Sequence, residues 1–116
     1  MKLSNEGAYI MAKIEQKEEN GMIIYHFTEG FNSETVTEFD DMIEMLHDIG
    51  NGVIIDLSGI EGVNSPILQS FSRLSKVTKA FRKDFRIINV GNDVYDTLLS
   101  TGFIDLFHIE KAADAS

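Results

Sequence analysis

The sequence of 116 residues contains no cysteine, no tryptophan and only one proline. The absence of cysteine excludes disulfides, thiol chemistry and zinc-thiolate sites, and it allows a reducing compartment. The single proline, Pro66, stands where a helical pattern begins, which is the part of a helix that tolerates this residue best.

Long apolar runs are also missing, because none approaches the ~20 residues that a membrane-spanning helix requires. The first seven residues, Met-Lys-Leu-Ser-Asn-Glu-Gly, lack the apolar stretch of a secretory signal peptide. We therefore expect a cytoplasmic protein that is not inserted into a membrane.

Positive charge is scarce overall and concentrated in one segment. The formal net charge is −9, and residues 1–72 carry three Lys or Arg against thirteen Asp or Glu. Four basic residues recur at helical spacing, namely Arg73, Lys76, Lys79 and Lys83. This basic stripe, Arg73–Lys83, is either a solvated helix face or a docking surface for an acidic partner. The negative net charge and the lack of aromatic residues within the stripe argue against nucleic-acid binding.

The residues that are present indicate one domain with a substantial core. Hydrophobic residues make up 43% and charged residues 25% of the chain, proportions typical of a soluble globular protein. We expect an N-terminal arm at residues 1–7, a single domain at 8–112 and a small polar tail at 113–116.

Hydrophobic periodicity predicts strands that alternate with helices. Strands are predicted at residues 8–16, 22–28, 53–57 and 85–90, with a closing strand or helical turn around 106–110. The first two strands are expected to form a hairpin across the turn residues Asn20 and Gly21. Because residues 53–57 are almost wholly apolar, we expect a central strand that is covered on both faces.

Three amphipathic helices are predicted between these strands. The expected N-caps are Asn32 or Ser33 for the first helix, Ser65 for the second and Asn92 for the third, and Gly102 is expected to end the third helix. Asn64 is the alternative cap of the second helix and would shift its start by one residue. Apolar residues expected to pack inward include Phe81, Leu99 and Leu106. The order β-β-α-β-α-β-α indicates an α/β fold, a single domain in which a mixed β-sheet packs against amphipathic helices.

Residues 52–71 are the most informative segment, because they predict a strand, a turn and then a helix that begins at Ser65 and Pro66. On local grounds Ser65 is simply a helix cap. A phosphate placed on its hydroxyl would face free backbone N–H groups and the positive end of the helix dipole. Gly59 and Gly62 do not form a nucleotide-binding loop, since no Lys-Ser or Lys-Thr follows them.

Residues typical of catalysis or metal binding are not arranged for either role. The three histidines, His26, His47 and His108, fall on separate predicted elements without metal-ligand spacing. The sequence shows no base beside Ser65 that would activate it as a nucleophile. We therefore predict no enzymatic activity, no cofactor and no metal.

Two stretches of the sequence resemble the STAS domain, a family that includes sulphate-transporter tails and bacterial anti-sigma-factor antagonists. The first is Val53-Ile54-Ile55-Asp56-Leu57-Ser58-Gly59-Ile60 followed by Val63-Asn64-Ser65. The second runs from Ile88-Asn89-Val90 to Thr101-Gly102-Phe103-Ile104-Asp105-Leu106-Phe107. The resemblance extends from about Tyr9 to Ala112 and implies a single STAS-like domain.

The resemblance implies a regulatory role for Ser65. In antagonists of this family a serine after this strand is phosphorylated by a partner kinase, and Ser65 occupies that position. The partner-binding surface would comprise Asn64, Ser65, Pro66, Ile67 and Leu68. Here Asn64 replaces the usual Asp, Pro66 the second hydroxyl residue and Ile67 the usual glycine.

The resemblance also implies the partners. An anti-sigma factor or histidine-kinase-like serine kinase would bind the unmodified protein, and a serine phosphatase would reverse the modification. The alternative is a STAS scaffold subunit of a signalling or transporter complex, in which Ser65 is not phosphorylated and only caps the helix.

Overall fold

The computed structural model describes residues 9–11, 14–28, 30–45 and 49–112. The predicted arm at 1–7 and tail at 113–116 lie outside the described residues, as does His47. The six strands are β1 (Tyr9–Met11), β2 (Ile14–Glu19), β3 (Met22–Phe27), β4 (Gly52–Asp56), β5 (Asp84–Val90) and β6 (His108–Lys111). The three α-helices are α1 (Ser33–Glu44), α2 (Ser65–Ala80) and α3 (Asn92–Thr101), and a short 3₁₀ helix covers Phe103–Asp105.

All six strands form one mixed sheet in the order β1-β2-β3-β4-β5-β6. The first three strands pair antiparallel, and β3 to β6 pair parallel. The predicted hairpin is confirmed, since Asn20 and Gly21 connect β2 to β3 with φ values of 53° and 79°. The single strand predicted at 8–16 is wrong, because that segment contains β1 and the first half of β2, which pair with each other.

Three parallel crossovers place the helices on one face of the sheet. Each parallel strand lies beside the one that precedes it in the chain, and each crossover contains one α-helix. Since such crossovers are right-handed and all advance in the same direction, α1, α2 and α3 share one face. The predicted α/β fold with a mixed sheet against amphipathic helices is confirmed.

Burial along the strands follows this one-sided arrangement. On β4, Val53 and Ile55 are fully buried, whereas Ile54 and Asp56 are only half-buried. On β5, Phe85 and Ile87 are buried while Arg86 between them is exposed. The expectation that residues 53–57 are covered on both faces is therefore wrong. The apolar residues of β4 alternate between the face that the helices cover and the opposite face, where Ile54 is half-buried.

An aromatic cluster fills the space between the sheet and the first two helices. Tyr25 and Phe27 of β3 meet Phe39 of α1 edge-on, with ring centroids 5.2 and 5.1 Å apart. Phe71 of α2 joins them at 5.7 Å from Phe39. Edge-to-face rings pack densely, so this cluster fixes α1 and α2 relative to the sheet.

Three apolar residues that the periodicity placed in the core are exposed instead. Phe81, Leu99 and Leu106 are 66%, 56% and 54% exposed. Phe81 is the residue at which α2 ends, and Leu106 lies beyond the 3₁₀ helix, so neither is held over the sheet by a full helical turn.

We expect Gly52→Ala to lower the free energy of unfolding by at least ~1–3 kcal/mol. Gly52 begins β4 with φ of 144°, and an added Cβ would lie 2.8 Å from the backbone nitrogen of Asp84 on β5. Gly62→Ala is the matched control, since its Cβ would meet nothing within 4 Å. Denaturant unfolding of the two variants should show a large loss for the first and little change for the second.

Candidate functional site

The N-terminus of α2 is fixed by Asn64. The Asn64 side chain accepts a hydrogen bond from the backbone N–H of Ile67 at 3.0 Å. Its amide nitrogen also donates to the carbonyl of Phe31 at 2.6 Å. Since Phe31 immediately precedes the cap of α1, a single side chain ties the first turns of both helices together.

The prediction that Ser65 caps this helix is wrong. Asn64 is the N-cap, Ser65 is the first helical residue and Pro66 the second. Both Asn and Ser are good caps, and their succession in the sequence left the choice to tertiary contacts. Asn64 both caps α2, by accepting from the Ile67 N–H, and donates to the Phe31 carbonyl. The other predicted caps divide: Asn32 caps α1, but Gly91 rather than Asn92 precedes α3.

The first turn of α2 has few backbone donors to offer a phosphate. Pro66 has no N–H, the Ile67 N–H is bound by the Asn64 side chain, and the Leu68 N–H is bound by the Asn64 carbonyl. The expectation that a phosphate on Ser65 would face free N–H groups is therefore largely overturned. The positive end of the helix dipole remains beside the hydroxyl.

The five residues predicted to contact a partner divide by burial. Ser65 and Pro66 are exposed and Asn64 is half-buried. Ile67 and Leu68, by contrast, are 0% and 3% exposed and belong to the core. Ser65 is exposed, and no described residue hydrogen-bonds its hydroxyl.

A second polar cluster lies at the carboxyl ends of β3, β4 and β5, the edge of the sheet from which the loop to α2 departs. Asp56 accepts hydrogen bonds from the Asn89 amide and from the Ser58 backbone N–H, both at 3.0 Å. The Ser58 hydroxyl lies 3.2 Å from Nε2 of His26. Asn89 has a left-handed φ of 59° at the irregularity in the β5–β6 pairing, a conformation that Asn tolerates well.

This cluster stabilises the charged form of Asp56. Burial alone would raise the pKa of the Asp56 carboxyl, but hydrogen bonds from Asn89 and Ser58 and the charge of His26 outweigh it. The pKa therefore lies below its usual value of 3.8. The negative charge of Asp56 thus holds the start of the loop 57–64 that leads to Ser65.

A third set of contacts joins α1 to α2 beside the cap. Asp40 of α1 accepts a hydrogen bond from the Ser70 hydroxyl at 2.7 Å and pairs with the Arg73 guanidinium. Around them lies a groove of about 570 Å³. Its lining includes Val36, Asp40, Pro66, Gln69, Ser70 and Arg73.

The described part of the chain holds no group of three or more His, Asp or Glu residues arranged to bind a metal. His26 and His108 lie on different strands, β3 and β6. Among the helices that the structure describes, none is long and apolar enough to cross a membrane.

The STAS domain family model matches residues 13–115, so the chain belongs to this family. No curated protein sequence matches it. The family assignment confirms the resemblance drawn from the strand before Ser65 and from the segment that ends at Phe107.

Several solved structures share the fold. A Thermotoga maritima protein assigned as an anti-sigma factor antagonist is 19% identical, with a TM-score of 0.76 over 86% of this chain and 87% of that one. A Ser-to-Glu variant of RsbS from Moorella thermoacetica is 15% identical, with a TM-score of 0.72 over 90% and 91%. A sulfate transporter family protein from Wolinella succinogenes is 12% identical, with a TM-score of 0.72 over 84% and 82%. At these identities the likeness is one of fold.

Sequence reasoning missed two features of the site. The Asn64–Phe31 and Asp56–Asn89 hydrogen bonds each join residues 33 positions apart, and local patterns carry no signal for such pairs. One sequence pattern could have suggested the Asp56–Asn89 contact. Each residue is polar and stands at the end of a predicted strand, and the ends of adjacent parallel strands lie close together.

We expect Asn64→Ala to lower the free energy of unfolding by ~1–2 kcal/mol, because the helix loses its cap and the Phe31 carbonyl loses its donor. Ser65→Ala should change it by less than ~0.5 kcal/mol. Asn64→Asp should fall between them, since a carboxylate can still cap the helix but cannot donate to Phe31. Equal losses for Asn64→Ala and Ser65→Ala in chemical denaturation would contradict the assignment of the cap.

The lowered pKa of Asp56 predicts a pH-dependent contribution to stability. A group whose pKa is lower in the folded than in the unfolded state stabilises the fold above its unfolded pKa, and this contribution is lost as the pH falls through the folded pKa. The advantage of the wild type over Asp56→Asn should therefore be present at pH values above 3.8 and shrink below it. Asn89→Gly, which suits the left-handed backbone but lacks the donor, should reduce this pH dependence. If the stability difference between wild type and Asp56→Asn stays constant through acid pH, the charged Asp56 carboxylate does not make the predicted contribution to stability.

Proposed function

We propose that this STAS domain is a bacterial regulatory protein-binding module of the anti-sigma-factor antagonist type, switched by phosphorylation of Ser65. In its unmodified form it binds an anti-sigma factor or histidine-kinase-like serine kinase in the cytoplasm. The kinase phosphorylates Ser65 and a serine phosphatase restores the hydroxyl. The domain itself needs no catalytic residue in this scheme.

One observation carries the proposal. The Ser65 hydroxyl is exposed at the first residue of α2, and the backbone around it is held by Asn64. A kinase can reach such a hydroxyl without unfolding the domain. Asn64, Ser65 and Pro66 form the contact surface, while the buried side chains of Ile67 and Leu68 anchor it to the core from below.

The occupied donors of the first turn explain how a phosphate would act. Because the N–H groups of Ile67 and Leu68 are already bonded, the protein retains few backbone donors to neutralise the phosphate. Its charge of about −1.5 to −2 would remain directed at the partner. Exposed Glu61 on the preceding loop adds charge of the same sign. We infer that the phosphorylated surface releases its partner by repulsion and by the cost of desolvating the phosphate.

A constitutive assembly module is the second candidate. Structures that share the fold include a sulfate transporter family protein and a chain of the stressosome, a signal integration and transduction hub. In a module of this kind the domain would be a permanent subunit, and Ser65 would stay unmodified.

Affinity capture from the native cells distinguishes the two candidates. Proteins retained by the wild type should also be retained by Ser65→Ala and should lose at least ~tenfold in affinity for Ser65→Asp. Ser100→Asp, a matched change at an exposed serine on α3, should retain them. If Ser65→Asp binds every partner as tightly as the wild type does, the switch is wrong and the constitutive module is favoured.

A further inference from the structure

The basic stripe predicted at Arg73–Lys83 divides into two parts in the structure. Arg73 pairs with Asp40, and Lys76 lines the groove between α1 and α2. The other part belongs to a cluster at the end of α2, here called the α2 end cluster, which comprises Lys79, Phe81, Arg82 and Lys83. None of its three cations forms an ion pair with a residue that the structure describes.

The α2 end cluster lies beyond the end of α1. The two helices are parallel, and Asp40 of α1 is level with Ser70 and Arg73 of α2. Because α1 ends only four residues after Asp40, it stops at about the level of residues 74–77. Residues 79–84 are all exposed, and Phe81 is 66% exposed. The cluster is therefore an accessible tip that the acidic residues of α1 do not reach.

The charge of this tip is locally uniform. No acidic residue stands between Lys76 and Lys83 in the sequence, although the whole chain has a net charge of −9. The next acid along the chain, Asp84, pairs with Arg86 of β5 at 3.6 Å. The tip thus combines one exposed aromatic ring with three cations that are free to meet an anion outside the domain.

The backbone of Arg82 indicates that a cation at this position is not explained by the fold. The Arg82 N–H donates to the Lys79 carbonyl at 3.0 Å and the Lys83 N–H to the Thr78 carbonyl at 2.8 Å. These two bonds form a Schellman motif, in which the residue after the cap is left-handed and is usually glycine. Arg82 occupies that position with φ of 58°, a conformation that costs a side-chain-bearing residue energy.

We propose that the α2 end cluster docks this domain on the surface of an anionic phospholipid membrane. Cations beside an exposed apolar ring are the combination that peripheral membrane segments use, with the ring at the headgroup boundary and the cations on the lipid phosphates. The remaining negative charge of the domain opposes this contact only weakly, because groups further than a Debye length of about 10 Å from the lipid are screened at 0.1 M salt.

Other anionic partners fit this tip less well. A stable protein interface takes about 800 Å² from each partner, which six exposed residues at a helix end do not supply. Single-stranded nucleic acid is bound along a basic groove in which several aromatic rings stack on successive bases. The α2 end cluster has a single ring and is a tip rather than a groove. A flat anionic surface requires neither a pocket nor a groove.

The proposed docking surface is separate from the proposed switch. Phe81 is sixteen residues after Ser65 on the same helix, about 24 Å along its axis. A domain docked by the end of α2 would therefore hold Ser65 away from the lipid, where a partner can reach it. The test below leaves Ser65 unchanged and needs no partner protein, so its result does not depend on the proposed function.

Cosedimentation of the purified full chain with phosphatidylglycerol vesicles at about 0.1 M salt tests the docking. The wild type should bind these vesicles, should release them as salt is raised, and should ignore vesicles of phosphatidylcholine. The triple variant Lys79→Gln, Arg82→Gln, Lys83→Gln should bind at least ~tenfold more weakly, since each cation near the surface contributes about fivefold. Phe81→Ser should also bind at least ~fivefold more weakly, because the apolar contact is lost.

Arg82→Gly separates binding from folding. Because glycine suits the left-handed position, this variant should unfold at the same or a higher denaturant concentration than the wild type, yet it should bind vesicles ~fivefold more weakly. Two matched controls should bind as the wild type does. Lys17→Gln removes an exposed cation on β2, and Leu99→Ser removes an apolar side chain that is 56% exposed on α3.

Three results would overturn the proposal. The first is a wild type that does not bind phosphatidylglycerol or binds phosphatidylcholine equally well. The second is unchanged vesicle binding by the triple variant or by Phe81→Ser. The third is a wild type that ignores vesicles but binds oligodeoxythymidylate through the same cations, which would assign the α2 end cluster to nucleic acid.

Discussion

The arrangement of this domain depends on the order of its strands, in which each parallel strand lies next to the one before it. Right-handed crossovers then leave all three helices on one face of the sheet. Two consequences follow for function. The loop that precedes α2 leaves from the carboxyl edge of β4, next to Asp56 and its partners on β3 and β5. In addition, α1 and α2 become parallel neighbours whose first turns are joined, and the longer α2 extends beyond the end of α1.

Within that frame, Asn64 decides how Ser65 is displayed. The hydrogen bonds of Asn64 to Phe31 and Ile67 join the first turns of α1 and α2. The backbone that carries Ser65 is therefore held by contacts with both helices. The same bonds use donors that a phosphate could otherwise have engaged. A modification at Ser65 would therefore change the surface charge more than the internal structure. An aspartate at position 64 could cap the helix but could not donate to Phe31, which gives a physical reason for asparagine in this chain.

Features that short stretches of sequence determine were predictable. Asn20-Gly21 specified the hairpin turn, Gly102 ended α3 with φ of 84°, and the family pattern led to Ser65. Features that depend on distant contacts were not. The choice between Asn64 and Ser65 as cap rested on the Phe31 carbonyl, 33 residues away. Only one face of β4 is covered by helices, because the order of the strands places all the helices on the same side of the sheet. Phe81 is exposed because α2 ends at that residue.

Intact-mass measurement with site mapping, on the protein from its native cells, is the decisive test of the proposed reversible phosphate on Ser65. We expect two populations separated by the mass of one phosphate, with the modification on Ser65 and their ratio changing when the cognate phosphatase is removed. The Ser65→Ala protein should show only the lower mass. A single unmodified mass under all growth conditions, or a phosphate on another residue with Ser65 free, would contradict phosphorylation of Ser65 as the switch.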